Sequence, residues 1–240
     1  MVTQPTPKHE FLHALHELLQ PKTYLEIGVQ SGTGMVQALP STQSIGVDPE
    51  PWGSAYLRVA DHSPTAVIYP VTSDEFFANV VPSQCTPIEL AFIDGMHLIE
   101  NVLRDFINVE QRAAPDGVIV IDDVLPYSAA ITSREPLPGD WTGDVWKLWP
   151  ILRKWRPELH ITMVDVDPTG LMVVQALNLA GAIELATKLD KIIATWAPVD
   201  LGRDIADPEV FTARKHAVSP AMALVEITKH RLEGTTSCAL

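Results

Sequence analysis

"FIDGMHLIENVLRDF", Phe92 to Phe106, begins as an apolar run and continues as an amphipathic helix, with an aspartate, a glycine and a histidine at the junction. A strand that ends in an acid and turns sharply into a helix is a usual way for an α/β protein to present a carboxylate at the ligand-binding edge of its sheet. The device recurs in "GVIVIDDVLP", Gly117 to Pro126, whose apolar run ends in Asp122 and Asp123. Three carboxylates at the ends of two strands repel one another unless a cation or a cationic ligand lies between them. A positive charge is therefore expected beside Asp94, Asp122 and Asp123.

Upstream of this junction, "KHEFLHALHELL" places Phe11, Leu12, Leu15, Leu18 and Leu19 at helical spacing, and "PKT" stops the helix. Strand-like runs follow at "TYLEIGV", "SIGVD", "AVIYPV", "IELAFID" and "GVIVIDD", with helices expected after the first, third and fourth. That alternation implies a mostly parallel, doubly wound, Rossmann-like α/β sheet covered on both faces. Downstream, "GDVWKLWPILRKW" reads as a helix interrupted at Pro150. "ELHITMVDVDPTGLMVVQAL" reads as an antiparallel hairpin turning at "DPTG". Two further helical patterns, "GAIELATKLDKIIATW" and "PAMALVEITKHRLEG", make residues 180–240 an appendage to a domain over 1–179, packed on the core or on a second subunit. Apolar tail helices point to a homodimer.

The 240 residues are 46% hydrophobic, enough for a sizeable core, and the formal charge of −13 argues against a long basic track for nucleic acid. "RKWR", Arg153 to Arg156, gathers three positive charges and reads as the solvated end of a helix. No apolar leader opens "MVTQPTPKHE" and no stretch reaches the ~18 apolar residues of a membrane span, so a cytoplasmic location is expected. Cys85 and Cys238 lack metal-finger or redox spacing and are expected as free thiols.

"YLEIGVQSGTGMVQAL", Tyr24 to Leu39, sets Glu26, Gly28, Gly32 and Gly34 directly after the first strand, where glycines let backbone approach a nucleotide. It is neither the dinucleotide fingerprint nor a phosphate-binding Walker loop, since an acid precedes the first glycine and no lysine follows. Asp48 ends the next strand about 20 residues on, where a carboxylate would take both ribose hydroxyls. This E-x-G-x-x-x-G-x-G loop with a second-strand acid resembles that of class I S-adenosylmethionine-dependent methyltransferases. The resemblance implies that Gly28, Ser31 and Gly32 pass under the amino-acid part of the cofactor, with Glu26 near its ammonium and Asp48 on the ribose. It also implies an adenine contact after the third strand, where Ser73 and Asp74 of "VTSDEFF" stand; as an alternative, one of them caps the helix that follows.

Within that family the chain is similar to small metal-dependent O-methyltransferases of the macrocin-type sugar enzymes, and to those of mycobacterial methylmannose polysaccharide synthesis. Their hallmark, an acid after the fourth strand and an acidic pair after the fifth, falls here on Asp94, Asp122 and Asp123, which would hold Mg²⁺. A hard cation bound by oxygen would lower the pKa of an acceptor hydroxyl and orient it, with Asp94 or His97 as base. "GDWTGDVWKLW", Gly139 to Trp149, resembles segments near the acceptor pocket, which makes Trp141, Asp144 and Lys147 candidates to bind a small-molecule or oligosaccharide acceptor; Trp146 and Trp149 fit the core. A phenolic or polyketide hydroxyl, or a cofactor-binding protein without catalysis, are the alternatives.

Overall fold

The computed structural model describes residues 6–80 and 87–237, with side chains to residue 233; Cys85 and Cys238 lie outside the described residues. Eight strands make a sheet: β1 (Thr23–Ile27), β2 (Gln43–Val47), β3 (Val67–Tyr69), β4 (Ile88–Ile93), β5 (Ala113–Asp122), β6 (His160–Val164), β7 (Leu171–Gln175) and β8 (Ala217–Val218). Their order is β3-β2-β1-β4-β5-β7-β6-β8. The first five run parallel, and β7 lies antiparallel between β5 and β6. The doubly wound sheet and its closing hairpin are thus as expected, while β8, parallel to β6, adds an edge with no sequence signal beyond two residues.

The chain leaves β1 towards β2 and β3, then returns to pair β4 with β1 on its other side, Ile27 opposite Ile93. Loops leaving β1 and β4 diverge there, and the crevice between them is where open α/β sheets bind ligands. Both faces of the sheet are covered. Leu25, Ile27, Ala91, Ile93, Ile119 and Ile121 face a core completed by Val102, Leu103 and Phe106 of the helix Ile99–Glu110. Tyr24, Leu90, Phe92, Val118 and Val120 face the other way, against Phe11, Leu12 and Leu15 of the helix Pro7–Leu19. This alternation along each strand is the period of two that a pleated sheet imposes.

In chain order the α-helices are α1 (Pro7–Leu19), α2 (Gly53–His62), α3 (Ser73–Glu75), α4 (Ile99–Glu110), α5 (Leu148–Trp155), α6 (Leu179–Ala186), α7 (Leu189–Trp196), α8 (Leu201–Asp204), α9 (Glu209–Thr212) and α10 (Pro220–Ser237). The helix expected after β1 is only a 3₁₀ turn, Met35–Gln37, because Pro40 forces the residue before it out of helical geometry and leaves too short a run. The regular helix follows β2 instead: α2 buries just Ala55 and Val59, too sparse a stripe to announce itself. Pro150 lies in the first turn of α5, where no intrahelical donor is missed, so it starts that helix rather than interrupting it.

The tail shares the main core. Ala182, Leu185 and Ile192 are buried, with α6 and α7 packed on α4, while Ala223 and Ile227 of α10 join the cluster on the opposite face. "RKWR" is not wholly solvated: Arg156 is 2% exposed and grips Glu110 through Nη1 at 2.5 Å and Nη2 at 2.7 Å, with Gly181 packed so closely that a Cβ there would collide with the guanidinium. Only Arg153 and Lys154 are exposed, as a solvated helix end requires.

Candidate active site

At the carboxyl edge of β1 the backbone turns at Gly28 with φ +92°, its N–H donating to the Val47 carbonyl at 2.8 Å. A Cβ there would lie 1.9 Å from the Asp94 carbonyl oxygen, so the loop leaving β1 touches the end of β4 only because residue 28 is glycine. Gly34 serves a neighbour: a side chain there would strike both carboxylate oxygens of Glu26. Glu26 is 1% exposed and accepts a hydrogen bond of 2.6 Å from the Tyr24 hydroxyl. Burial pushes its pKa up to about 8; the Tyr24 bond opposes that rise and the Asp94 charge adds to it.

Asp48 holds the loop in place. Its Oδ2 accepts from the Gln30 amide at 2.7 Å and its Oδ1 from the Glu50 amide at 2.8 Å. A carboxylate has about four lone-pair sites, so both oxygens can still accept from a ligand. Asp48, Ser73 and Asp74 line a cleft of about 910 Å³ that runs to Asp94, His97, Asp123 and Trp141. A second hollow of about 220 Å³ adjoins it through Lys8, Gly28, Gln30 and Asp94, and is lined by Glu26 and Ser31. Gly32 lines neither; at φ +76° it packs on Ala55 and Val59. Neither Ser73 nor Asp74 caps α3: Thr72 does, paired with Glu75 in a capping box. Asp74 instead meets Arg104 at 3.1 Å, and the Ser73 hydroxyl bonds Asp105, whose pKa burial raises to about 7.

The acid cluster already contains positive charge. Lys8, from the first turn of α1, places Nζ 2.8 Å from Asp94 Oδ2 and also on Asp122 Oδ2. His97 places Nε2 3.4 Å from Asp94 Oδ1 and 3.1 Å from Asp123 Oδ2. Burial opposes the ammonium, but the two carboxylates outweigh it and raise the Lys8 pKa well above the lysine range. Burial likewise opposes the imidazolium, yet the Asp94 bond and the Asp123 charge raise His97 to about 9. Against burial, Lys8 and His97 hold Asp94 well below the carboxylate range, while burial and repulsion from Asp122 raise Asp123 to about 8. Asp123 also has φ +63°, a left-handed backbone that an aspartate tolerates better than most side chains.

These contacts bear on the expected Mg²⁺. Asp94 and Asp123 can present ligand atoms within 4.8 Å of one another together with His97, but Asp122 is not in that group. Lys8 takes one Asp122 oxygen, and the Asp123 amide donates to the other at 2.8 Å. Lys8 thus occupies the point between Asp94 and Asp122 that an all-oxygen Mg²⁺ site would need. No sequence motif links Lys8 to Asp94, 86 residues away, and only the fold brings the two together.

The "GDWTGDVWK" segment braces His97. Nδ1 of His97 donates to the Trp141 carbonyl at 2.7 Å, and the two rings stack with centroids 5.1 Å apart. The His97 carbonyl accepts from the Asp144 amide at 3.0 Å, and Asp144 Oδ1 accepts from the Ile99 amide at 2.6 Å at the start of α4. Lys147 Nζ lies 2.7 Å from Asp144 Oδ2, and Arg134 Nη1 reaches the same oxygen at 2.5 Å. Asp144 and Lys147 are each 1% exposed and do not line the cleft, unlike Trp141, and Trp146 is buried in the core as expected.

A family model described as a methyltransferase domain matches residues 25–124, from β1 to just past the acidic pair. No curated protein matches the chain. Among solved structures it is similar to the O-methyltransferase TomG from Streptomyces achromogenes, involved in tomaymycin synthesis and solved in complex with SAM; identity is 18% and TM-score 0.59, over 73% of this chain and 82% of that one. Cofactor-bound Rv0187 from MTB gives 18% identity and a TM-score of 0.59 over 74% of this chain and 83% of its own. An O-methyltransferase from Bacillus cereus in complex with SAH gives 14% and 0.55, over 72% and 82%. At such identities the likeness is one of fold. The chain thus has the Rossmann-like methyltransferase fold, and its residues 25–124 match a methyltransferase-domain model.

Proposed function

We propose that this protein transfers the methyl group of S-adenosylmethionine to a hydroxyl oxygen of a sugar or glycan. The observation that carries the proposal is the continuity of the hollow beside Glu26 and Ser31 with the cleft that passes Asp48 and ends at His97. Glu26 would face the cofactor ammonium, Gly28 and Ser31 its amino-acid part, Asp48 the ribose hydroxyls, and Ser73 with Asp74 the adenine. Gly32 would act by shaping the loop. Asp94 would stand at the transfer end of the cofactor, next to His97.

In the reaction the sulfonium–methyl bond breaks as the oxygen–methyl bond forms, leaving a thioether and releasing the hydroxyl proton. His97 Nε2 takes that proton after losing its own to solvent, and the Asp94 and Asp123 carboxylates stabilise the imidazolium that results. Holding Nδ1 on the Trp141 carbonyl fixes the tautomer with Nε2 towards the acceptor. Mg²⁺ forms no part of the proposal, because Lys8 engages Asp122. The acceptor end, with Trp141 among Asp123, Asp140 and Thr169, suits a sugar: an indole for the apolar ring face and carboxylates for the hydroxyls. Asp144 and Lys147 would support that end from behind.

The proposal is tested by incubating the protein with labelled S-adenosylmethionine and a panel of unmethylated saccharides beside catechols. Label on a saccharide supports it; label only on a catechol moves the acceptor to a phenol, and tight cofactor binding with no transfer to any acceptor makes the protein a binder. The expected homodimer rests on the apolar residues that α10 leaves exposed, Met222, Val225 and Leu232, and sedimentation reads it. Among the described residues no helix is long and apolar enough to cross a membrane.

A further inference from the structure

We propose that the ammonium of Lys8 is the resident cation of the acid cluster, standing between Asp94 and Asp122 where a divalent ion would otherwise be held. This chain would then work without a divalent metal at that point. The position is built rather than incidental. Pro7 opens α1, Thr6 caps it with a reciprocal bond to His9, and Phe11, Leu12 and Leu15 anchor the helix in the core, so the second helical residue is directed at the sheet edge. A cation in the first turn of a helix opposes the helix dipole. The sequence nevertheless places a lysine there, and the two carboxylates it meets come from the ends of β4 and β5.

The arrangement answers the electrostatic problem that three neighbouring acids pose. Lys8 satisfies one oxygen of Asp94 and one of Asp122, His97 takes the other Asp94 oxygen and Asp123, and the Asp123 amide takes the last oxygen of Asp122. A divalent ion arriving at Asp122 would have to displace Lys8 or lie beside it, and like charges a few ångströms apart repel strongly in a partly buried site. Lys8 also lines both the hollow beside Glu26 and the larger cleft, so it stands where the two meet. Because its other contacts are with Asp94, Lys8 is a positioning residue: it fixes which Asp94 oxygen faces His97.

The inference rests on the methyltransferase reading only for the role of Lys8 in turnover; the cation site itself stands on the contacts. It is tested by calorimetric titration of MnCl₂ and MgCl₂ into the full chain, alongside separate titration of S-adenosylhomocysteine. The wild-type protein is expected to give no tight metal heat. Lys8→Met should gain a site stronger by at least about 100-fold, a lower bound on the effect of removing one positive charge a few ångströms from a divalent ion at intermediate dielectric. Lys8→Arg, which keeps the charge, should not gain it. A tight Mn²⁺ site in the wild type that Asp94→Asn abolishes would overturn the proposal whether or not the Lys8 variants fold. So would a folded Lys8→Met protein, checked by circular dichroism, with no gain. If S-adenosylhomocysteine does not bind the wild type, the methyltransferase reading falls while the metal titrations still decide the place of Lys8.

Discussion

The imidazole of His97 is held against Trp141 twice over, by stacking at 5.1 Å and by a 2.7 Å bond from Nδ1 to the Trp141 carbonyl. The loop that carries Trp141 is fastened in turn by Gly143, where a Cβ would fall 1.8 Å from the His97 carbonyl, and by Asp144 at the start of α4. A strand end, a helix start and a distant loop therefore converge on one ring. Such bracing keeps a base in one orientation through the reaction.

Replacing Asp144 should unfasten this assembly. Asp144→Ala removes the bond at the start of α4 and leaves Lys147, 1% exposed, without a carboxylate partner among the described residues, its remaining hydrogen bond being to the Ala197 carbonyl at 3.1 Å. Breaking a buried pair in this way costs about 3–5 kcal/mol. Chemical denaturation should show a loss of that order; an unchanged midpoint would mean that the pair is not what holds the loop.

The rate of methyl transfer should rise with pH. His97, raised to about 9 chiefly against the effect of burial by Asp94 and Asp123, must be neutral to accept a proton, so the active fraction grows about tenfold per pH unit below that value. Asp94→Asn removes the ionised carboxylate whose bond does most to raise His97 and should move the profile to lower pH, whereas His97→Gln should lower the rate ~10²–10⁴-fold and flatten it. A wild-type profile flat from pH 6 to pH 9 would exclude His97 as the base.

Much of this site can be read from the sequence wherever function is local. The acids at the ends of β2, β4 and β5 follow apolar runs, and Gly28 sits in a short spaced motif, so each is placed by its immediate neighbours. What escapes is contact between distant segments. Nothing near Lys8 announces Asp94, and nothing near "WTGD" distinguishes a residue that lines a pocket from one that caps a helix behind it; Trp141 and Asp144, three residues apart, do one each. The same limit explains Arg156, where an apparently solvated basic run conceals a buried partner 46 residues away.

Gly28→Ala should abolish cofactor binding. The added methyl would meet the Asp94 carbonyl at 1.9 Å in a backbone of φ +92°, so the loop must withdraw from β4. Stability should fall by about 2 kcal/mol or more, since steric conflict adds to the cost of positive φ. Asp48→Ala is milder: loss of its bonds to the Gln30 and Glu50 amides, and of the ribose contact proposed for it, should weaken S-adenosylhomocysteine by about 1–3 kcal/mol, read by calorimetry.

Cofactor binding should release a proton from Glu26. In the free protein burial raises this carboxyl to about 8, so it is mostly protonated at pH 7. An ammonium brought beside it favours the ionised form and lowers its pKa, and the proton must leave as the ligand enters. Titrations of S-adenosylhomocysteine at pH 7 in two buffers of different ionisation enthalpy should therefore give different apparent heats, corresponding to release of up to about one proton. The difference should shrink above pH 9, where Glu26 is already ionised, and vanish in Glu26→Gln at both pH values. Equal heats in the two buffers at pH 7 would mean that the cofactor ammonium does not reach Glu26, and would place the amino-acid end of the ligand elsewhere in the cleft.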